Sequence, residues 1–94
     1  MTIERKHVGK RMSQIVIHGD TVYLAGQVAE GKPGASVAEQ THDILERIDG
    51  YLAEAGSDKS KLLRATIWLA NMADYAEMNS VWDDWLPEGQ SIRK

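Results

Sequence analysis

Two short runs rich in apolar and β-branched residues open the patterned part of the chain, "MSQIVI" at 12–17 and "VYLAGQVA" at 22–29. Gly19 and Asp20 lie between them and supply the turn chemistry of a tight β-hairpin. The second run gives up its middle to Gly26 and Gln27. A glycine inside a strand marks either a bulge or a point where a ligand or another backbone comes close, and a buried amide needs a hydrogen-bond partner. "EGKPGAS" follows, with two glycines and a proline, and reads as a loop.

At Ser36 the period changes. Ser36 and Glu39 have capping-box spacing, and Val37, Thr41, Ile44, Leu45, Ile48, Tyr51, Leu52 and Ala55 then recur every three or four residues. This predicts a helix that Gly56 ends. After the polar turn "SDKS", the short apolar segment Leu63 to Leu69 predicts a strand with Ala65, Ile67 and Leu69 on one side and Arg64, Thr66 and Trp68 on the other. A tryptophan on the more polar side implies that a loop or another subunit covers it. Asn71 caps a second predicted helix, whose stripe is Met72, Tyr75, Met78, Val81, Trp82 and Trp85, and Pro87 closes it. The order β-β-α-β-α predicts an α+β fold, a sheet with two helices on one face.

Composition narrows the function classes. Ninety-four residues make a single domain, and 43% hydrophobic residues with 27% charged suit a folded chain. A net charge of −3, with both signs interleaved, argues against nucleic acid as partner. There is no cysteine, so thiol chemistry and disulfides drop out. The N-terminus lacks the apolar core of a signal peptide, and no run approaches the ~20 apolar residues of a membrane span, which predicts a cytoplasmic protein with no membrane partner.

His7, His18 and His42 show no metal-ligand spacing and read as solvated. No serine stands in a nucleophile-elbow context, and "GKPGAS" lacks the spacing of a phosphate loop. Asp83 and Asp84 are adjacent on a helix, point in different directions and read as a solvated acidic end.

Three segments in order, "HGDTVYLAGQVA", "LAEAGSDKSKLLRATIWLAN" and "MADYAEMNSVWDDWLPEG", resemble the Rid family of YjgF-like proteins over most of the chain, from about Arg11 to Gly89. The resemblance implies a fold similar to the Bacillus-type chorismate mutase, a homotrimer with clefts between subunits, and hydrolysis of reactive 2-imino acids to 2-oxo acids and ammonia. It implies no cofactor and no metal. In such a site an arginine pairs with the substrate carboxylate, and backbone groups near the small-Gly-Gln segment position imine and water.

By position, Ala25 and Gly26 match the strand lining the cleft, Asn79 the helix asparagine bordering it, and Met12 takes the place of an aromatic residue on one cleft wall. The carboxylate-binding arginine maps onto Arg93 or Lys94 according to the alignment of "PEGQSIRK". The family pattern continues there into two further strands, so the resemblance implies one Rid-like domain over 1–94, C-terminally incomplete relative to the family, with the sheet edge those strands would fill paired to another chain or left poorly protected. The alternative function on the same scaffold is a non-catalytic trimeric protein that binds small carboxylates or partners.

Overall fold

The computed structural model describes residues 2–31 and 34–87. Strands β1 (Ile3–Val8), β2 (Ser13–His18) and β3 (Thr21–Leu24) form an antiparallel sheet in the order β1-β2-β3, followed by helix α1 (Val37–Glu54) and helix α2 (Tyr75–Trp85). The α+β class stands, with two differences in its strands.

The first is β1, a strand absent from the expected order. Its sequence IERKHV is mostly charged and lacks the apolar run that announces a strand. It is an edge strand, and charged side chains are a common protection for such edges. The pairs Lys6↔Ile15 and Val8↔Ser13 keep register around His7, which adopts left-handed backbone with φ 53. That conformation is costly for a residue with a Cβ. The His7 ring compensates across the fold: its Nε2 lies 2.7 Å from Glu54 Oε2 on α1, and its centroid 5.1 Å from that of Tyr51. His7 is therefore engaged rather than solvated, whereas His18 and His42 are exposed.

The second difference is at 63–69. The alternation is the expected one, with Ala65, Ile67 and Leu69 half-buried against the helical core and Arg64, Thr66 and Trp68 exposed. Among the described residues this segment contributes only a single bridge residue, Ala65, and does not join the ladder of β1–β3. Trp68 is 90% exposed, so within the described residues no loop covers it.

The β2–β3 hairpin turns through Gly19, whose φ of 61 suits the first central position of a primed two-residue turn. At the start of α1, Ser36 caps as expected, its hydroxyl accepting from the Glu39 N–H at 3.2 Å. Its end is a Schellman motif: Gly56 takes φ 77, its N–H donates to Ala53 C=O, and the Ser57 N–H reaches Leu52 C=O at 2.8 Å. The second helix begins as a 3₁₀ turn, Met72–Asp74, capped by Asn71 Oδ1 accepting from the Ala73 N–H at 2.9 Å. The tighter winding shifts the phase, so Met72 and Tyr75 face solvent while Met78, Val81 and Trp82 are buried as expected.

Leu45, Met78, Val81 and Trp82 form the core between the helices, and Ile15 on the central strand is wholly buried at 0% exposure. Two polar contacts fix the helix pair. Glu77 of α2 accepts from the Ala38 N–H at 2.8 Å, placing a carboxylate at the positive N-terminus of α1, and Trp85 Nε1 donates to Asp49 Oδ2 at 2.9 Å. No helix among the described residues is long and apolar enough to cross a membrane.

Candidate functional site

β3 ends at Leu24, and the backbone of the next residues is shaped by side-chain amides rather than by a ladder. The Ala25 N–H donates to the Gln14 C=O at 3.0 Å, prolonging the pairing by one bond. Gln27 then turns back: its Nε2 donates to Gln14 Oε1 at 2.8 Å and to the Ala25 C=O at 3.0 Å. This is the partner that a half-buried amide requires.

Gly26 lies between these two anchored residues. It is exposed, its φ is not positive, and a Cβ built on it would have no neighbour within 4 Å. Neither a bulge within a strand nor a close approach by this chain accounts for the glycine. Among the described residues its N–H and C=O have no hydrogen-bond partner. The arrangement is a short exposed stretch of backbone, held on both sides, offering one donor and one acceptor.

The loop that leads away is pinned to α1. Arg47 Nε donates to Asp43 Oδ2 at 3.0 Å and its Nη1 lies 3.9 Å from Glu30 Oε2; the hydrogen bond to Asp43 is the main cause of an Arg47 pKa above its ordinary value. Gly31 passes over this pair so closely that a Cβ would stand 3.3 Å from Asp43 Oδ1.

Met12 belongs to a different feature. The β1–β2 connection closes with the Gly9 N–H donating to the Met12 C=O at 2.7 Å, leaving Lys10 and Arg11 at its tip. Around this turn lies an open cavity of about 340 Å³ lined by Arg5, Val8, Gly9, Arg11, Met12, Ser13 and Val16. The structure thus groups Met12 with two arginines and a hydroxyl, while Ala25, Gly26 and Asn79 do not line this cavity. The link between the two places is β2: Gln14, two residues beyond Met12, carries both contacts to the Ala25–Gln27 segment.

Asn79 is half-buried on α2. Arg93 and Lys94 lie outside the described residues. Sequence reasoning passed over Arg5 and Arg11 because they fall in a charged segment with no strand signal. Among the described residues no group of His, Asp and Glu is arranged to hold a metal ion.

A family model described as Endoribonuclease L-PSP matches residues 2–93. A RutC family protein of Haemophilus ducreyi is 45% identical over 84 residues, covering 89% of this chain and 71% of that protein. The RutC family protein YoaB of Escherichia coli is 44% identical over 91 residues, covering 97% of this chain and 78% of its own length. Among solved structures, a member of the YjgF protein family from Neisseria meningitidis matches 100% of this chain and 78% of its own chain, with a TM-score of 0.94 and 44% identity.

Proposed function

The chain belongs to the Endoribonuclease L-PSP family, the RutC and YjgF (Rid) proteins, and from that premise we propose that it hydrolyses reactive 2-imino acids such as 2-iminobutanoate and 2-iminopropanoate. The products are the 2-oxo acid and ammonia. The observation that carries this reading is Gly26, whose exposed N–H and C=O are held between Ala25 and the doubly bonded Gln27 amide.

A protonated imine is already electrophilic at carbon, so catalysis asks for positioning rather than strong acid or base. Water adds to the C=N carbon, a proton moves from the added oxygen to nitrogen, and the C–N bond breaks to release ammonia and leave the C=O. The Gly26 C=O is suited to accept from the iminium N–H or from the attacking water, and its N–H to donate to the developing oxygen. Such fixed dipoles need no reorganisation as charge shifts. In this reading Ala25, Gly26, Asn79 and Met12 bind substrate, Arg93 or Lys94 holds its carboxylate, and the chain works as a cytoplasmic homotrimer with clefts between subunits.

The test is to generate 2-iminobutanoate in situ with an amino-acid oxidase and follow its hydrolysis with and without the protein. Acceleration over buffer is expected, and its absence sinks the catalytic reading. A second reading, a carboxylate-binding protein without turnover, is favoured by the cationic cavity around Met12. Calorimetric binding of 2-oxobutanoate together with no acceleration would select it. The family description names RNA cleavage, but a net charge of −3 supplies little attraction for a polyphosphate, and salt-dependent RNA binding is not expected.

A further inference from the structure

We propose that Gln27 and Gln14 form a directional amide clamp that aims the Gly26 N–H, which makes both glutamines positioning residues for that one donor. This rests on the hydrolytic reading above and goes beyond it in separating the two backbone groups of Gly26. The clamp fixes the N–H and leaves the C=O without a bond of its own.

Direction follows from hydrogen-bond chemistry. A backbone carbonyl only accepts, so the Gln27 atom 3.0 Å from the Ala25 C=O is its amide nitrogen. The same nitrogen lies 2.8 Å from the Gln14 side chain, which must therefore turn its oxygen toward it. With the Ala25 N–H on the Gln14 C=O at 3.0 Å, the three half-buried residues close a ring of three hydrogen bonds. Among the described residues, Gln14 Nε2 and Gln27 Oε1 take no part in this ring or in any other bond.

The ring orients one peptide plane. Across a trans bond, the C=O of one residue and the N–H of the next are coplanar and point in opposite directions. The Ala25–Gly26 peptide is trans, so the bond from Gln27 Nε2 to the Ala25 C=O turns the Gly26 N–H away from the Gln27 amide. The next plane carries the Gly26 C=O and the Gln27 N–H, and neither is bonded among the described residues. Gly26 joins the two planes, and a glycine places little restraint on the angle between them.

The kinetic consequence is specific. A donor of fixed aim, met by an oxygen only as charge develops there, lowers the barrier without tightening the ground state. Loosening the clamp therefore lowers kcat and spares KM.

The experiment measures imine turnover and the heteronuclear NOE of the Gly26 amide in the ¹⁵N-labelled full chain. Gln27→Leu removes both side-chain bonds, so kcat should fall roughly tenfold or more while KM stays within about threefold. Its Gly26 NOE should drop below those of the β2 amides. Two glutamate variants then add the same charge to the same pair in opposite senses. Gln14→Glu keeps the acceptor that Gln27 uses, and should retain most of the turnover and the NOE. Gln27→Glu sets a carboxylate oxygen against the Ala25 C=O, and should resemble Gln27→Leu. A dispersed amide spectrum in each variant separates lost aim from lost fold.

Identical behaviour of the two glutamate variants overturns the clamp, as does a Gly26 NOE unmoved by Gln27→Leu, or a loss confined to KM. The two readouts keep this proposal apart from the hydrolase. Turnover that Gln27→Leu leaves untouched removes the clamp and leaves the hydrolase. A wild type without turnover, whose Gly26 NOE falls in Gln27→Leu and Gln27→Glu but not in Gln14→Glu, leaves the aimed donor and removes the hydrolase.

Discussion

Gln27 and Gln14 meet side chain to side chain, Nε2 to Oε1 at 2.8 Å, and the same nitrogen reaches the Ala25 C=O at 3.0 Å. One amide thereby ties the central strand to the segment that follows β3, and Gly26 lies inside the loop so closed. The glutamine answers the question its position raises: it gives the exposed Gly26 backbone a fixed place relative to β2.

Removing that tie should cost stability and order together. Gln27→Ala leaves the Gln14 side chain without its donor in a partly buried place, so unfolding free energy should fall by about 1 kcal/mol. In a double-mutant cycle with Gln14→Ala, the coupling should be roughly 0.5–1.5 kcal/mol. Additive urea midpoints would show that the pair carries no shared energy.

The parts of the fold legible in the sequence were those fixed by local chemistry. Ser36 and Gly56 bound α1 because a hydroxyl cap and a left-handed residue do the same work in any helix. The strand β1 was hidden because IERKHV has no apolar face to announce it, and its pairing with β2 is a long-range fact. The segment 63–69 shows the converse: its alternation correctly gave which side chains turn inward, but alternation does not specify a hydrogen-bonding neighbour. At the candidate site, Gly26 was singled out by the interrupted strand pattern and Ala25 by the family resemblance, while the placing of Arg5 and Arg11 beside Met12 depends on a hairpin that no local pattern announces.

Gly56 offers a test with little packing involved. At φ 77 an L residue is strained, yet a Cβ there would meet nothing within 4 Å, so Gly56→Ala should destabilise through backbone conformation alone. The expected loss is about 1 kcal/mol, with Gly56→Asn losing less because asparagine tolerates the left-handed region. Equal losses for both variants would point to a contact instead.

Asp58 makes one element of stability depend on pH. Its carboxylate accepts from the Ser60 hydroxyl and, at 2.8 Å, from the Ser60 N–H, and these bonds, the hydroxyl first, hold its pKa below the ordinary aspartate value. A group whose folded pKa is depressed stabilises the fold above its unfolded pKa, about 3.9, and loses that contribution as pH falls through the folded value. The melting temperature of Asp58→Ala should therefore lie below wild type at neutral pH. The gap should close as the buffer is taken below about pH 3. A gap that stays constant across that range would remove the carboxylate from the cause.

Trp68 offers a test of the proposed assembly. An indole 90% exposed on an extended segment, with Leu63 nearby in sequence at 82%, is a large apolar surface left in water. Covering such a side chain fully is worth roughly 4–6 kcal/mol by area. Since Trp68 is 90% exposed, Trp68→Ser should change the stability of an isolated chain by no more than about 0.5 kcal/mol. In the proposed homotrimer the same change should shift the species seen by light scattering toward monomer, and acrylamide should quench Trp68 emission less at high protein concentration than at low. A trimer that persists in Trp68→Ser, with quenching independent of concentration in the wild type, would place the subunit contacts elsewhere and leave this face to solvent.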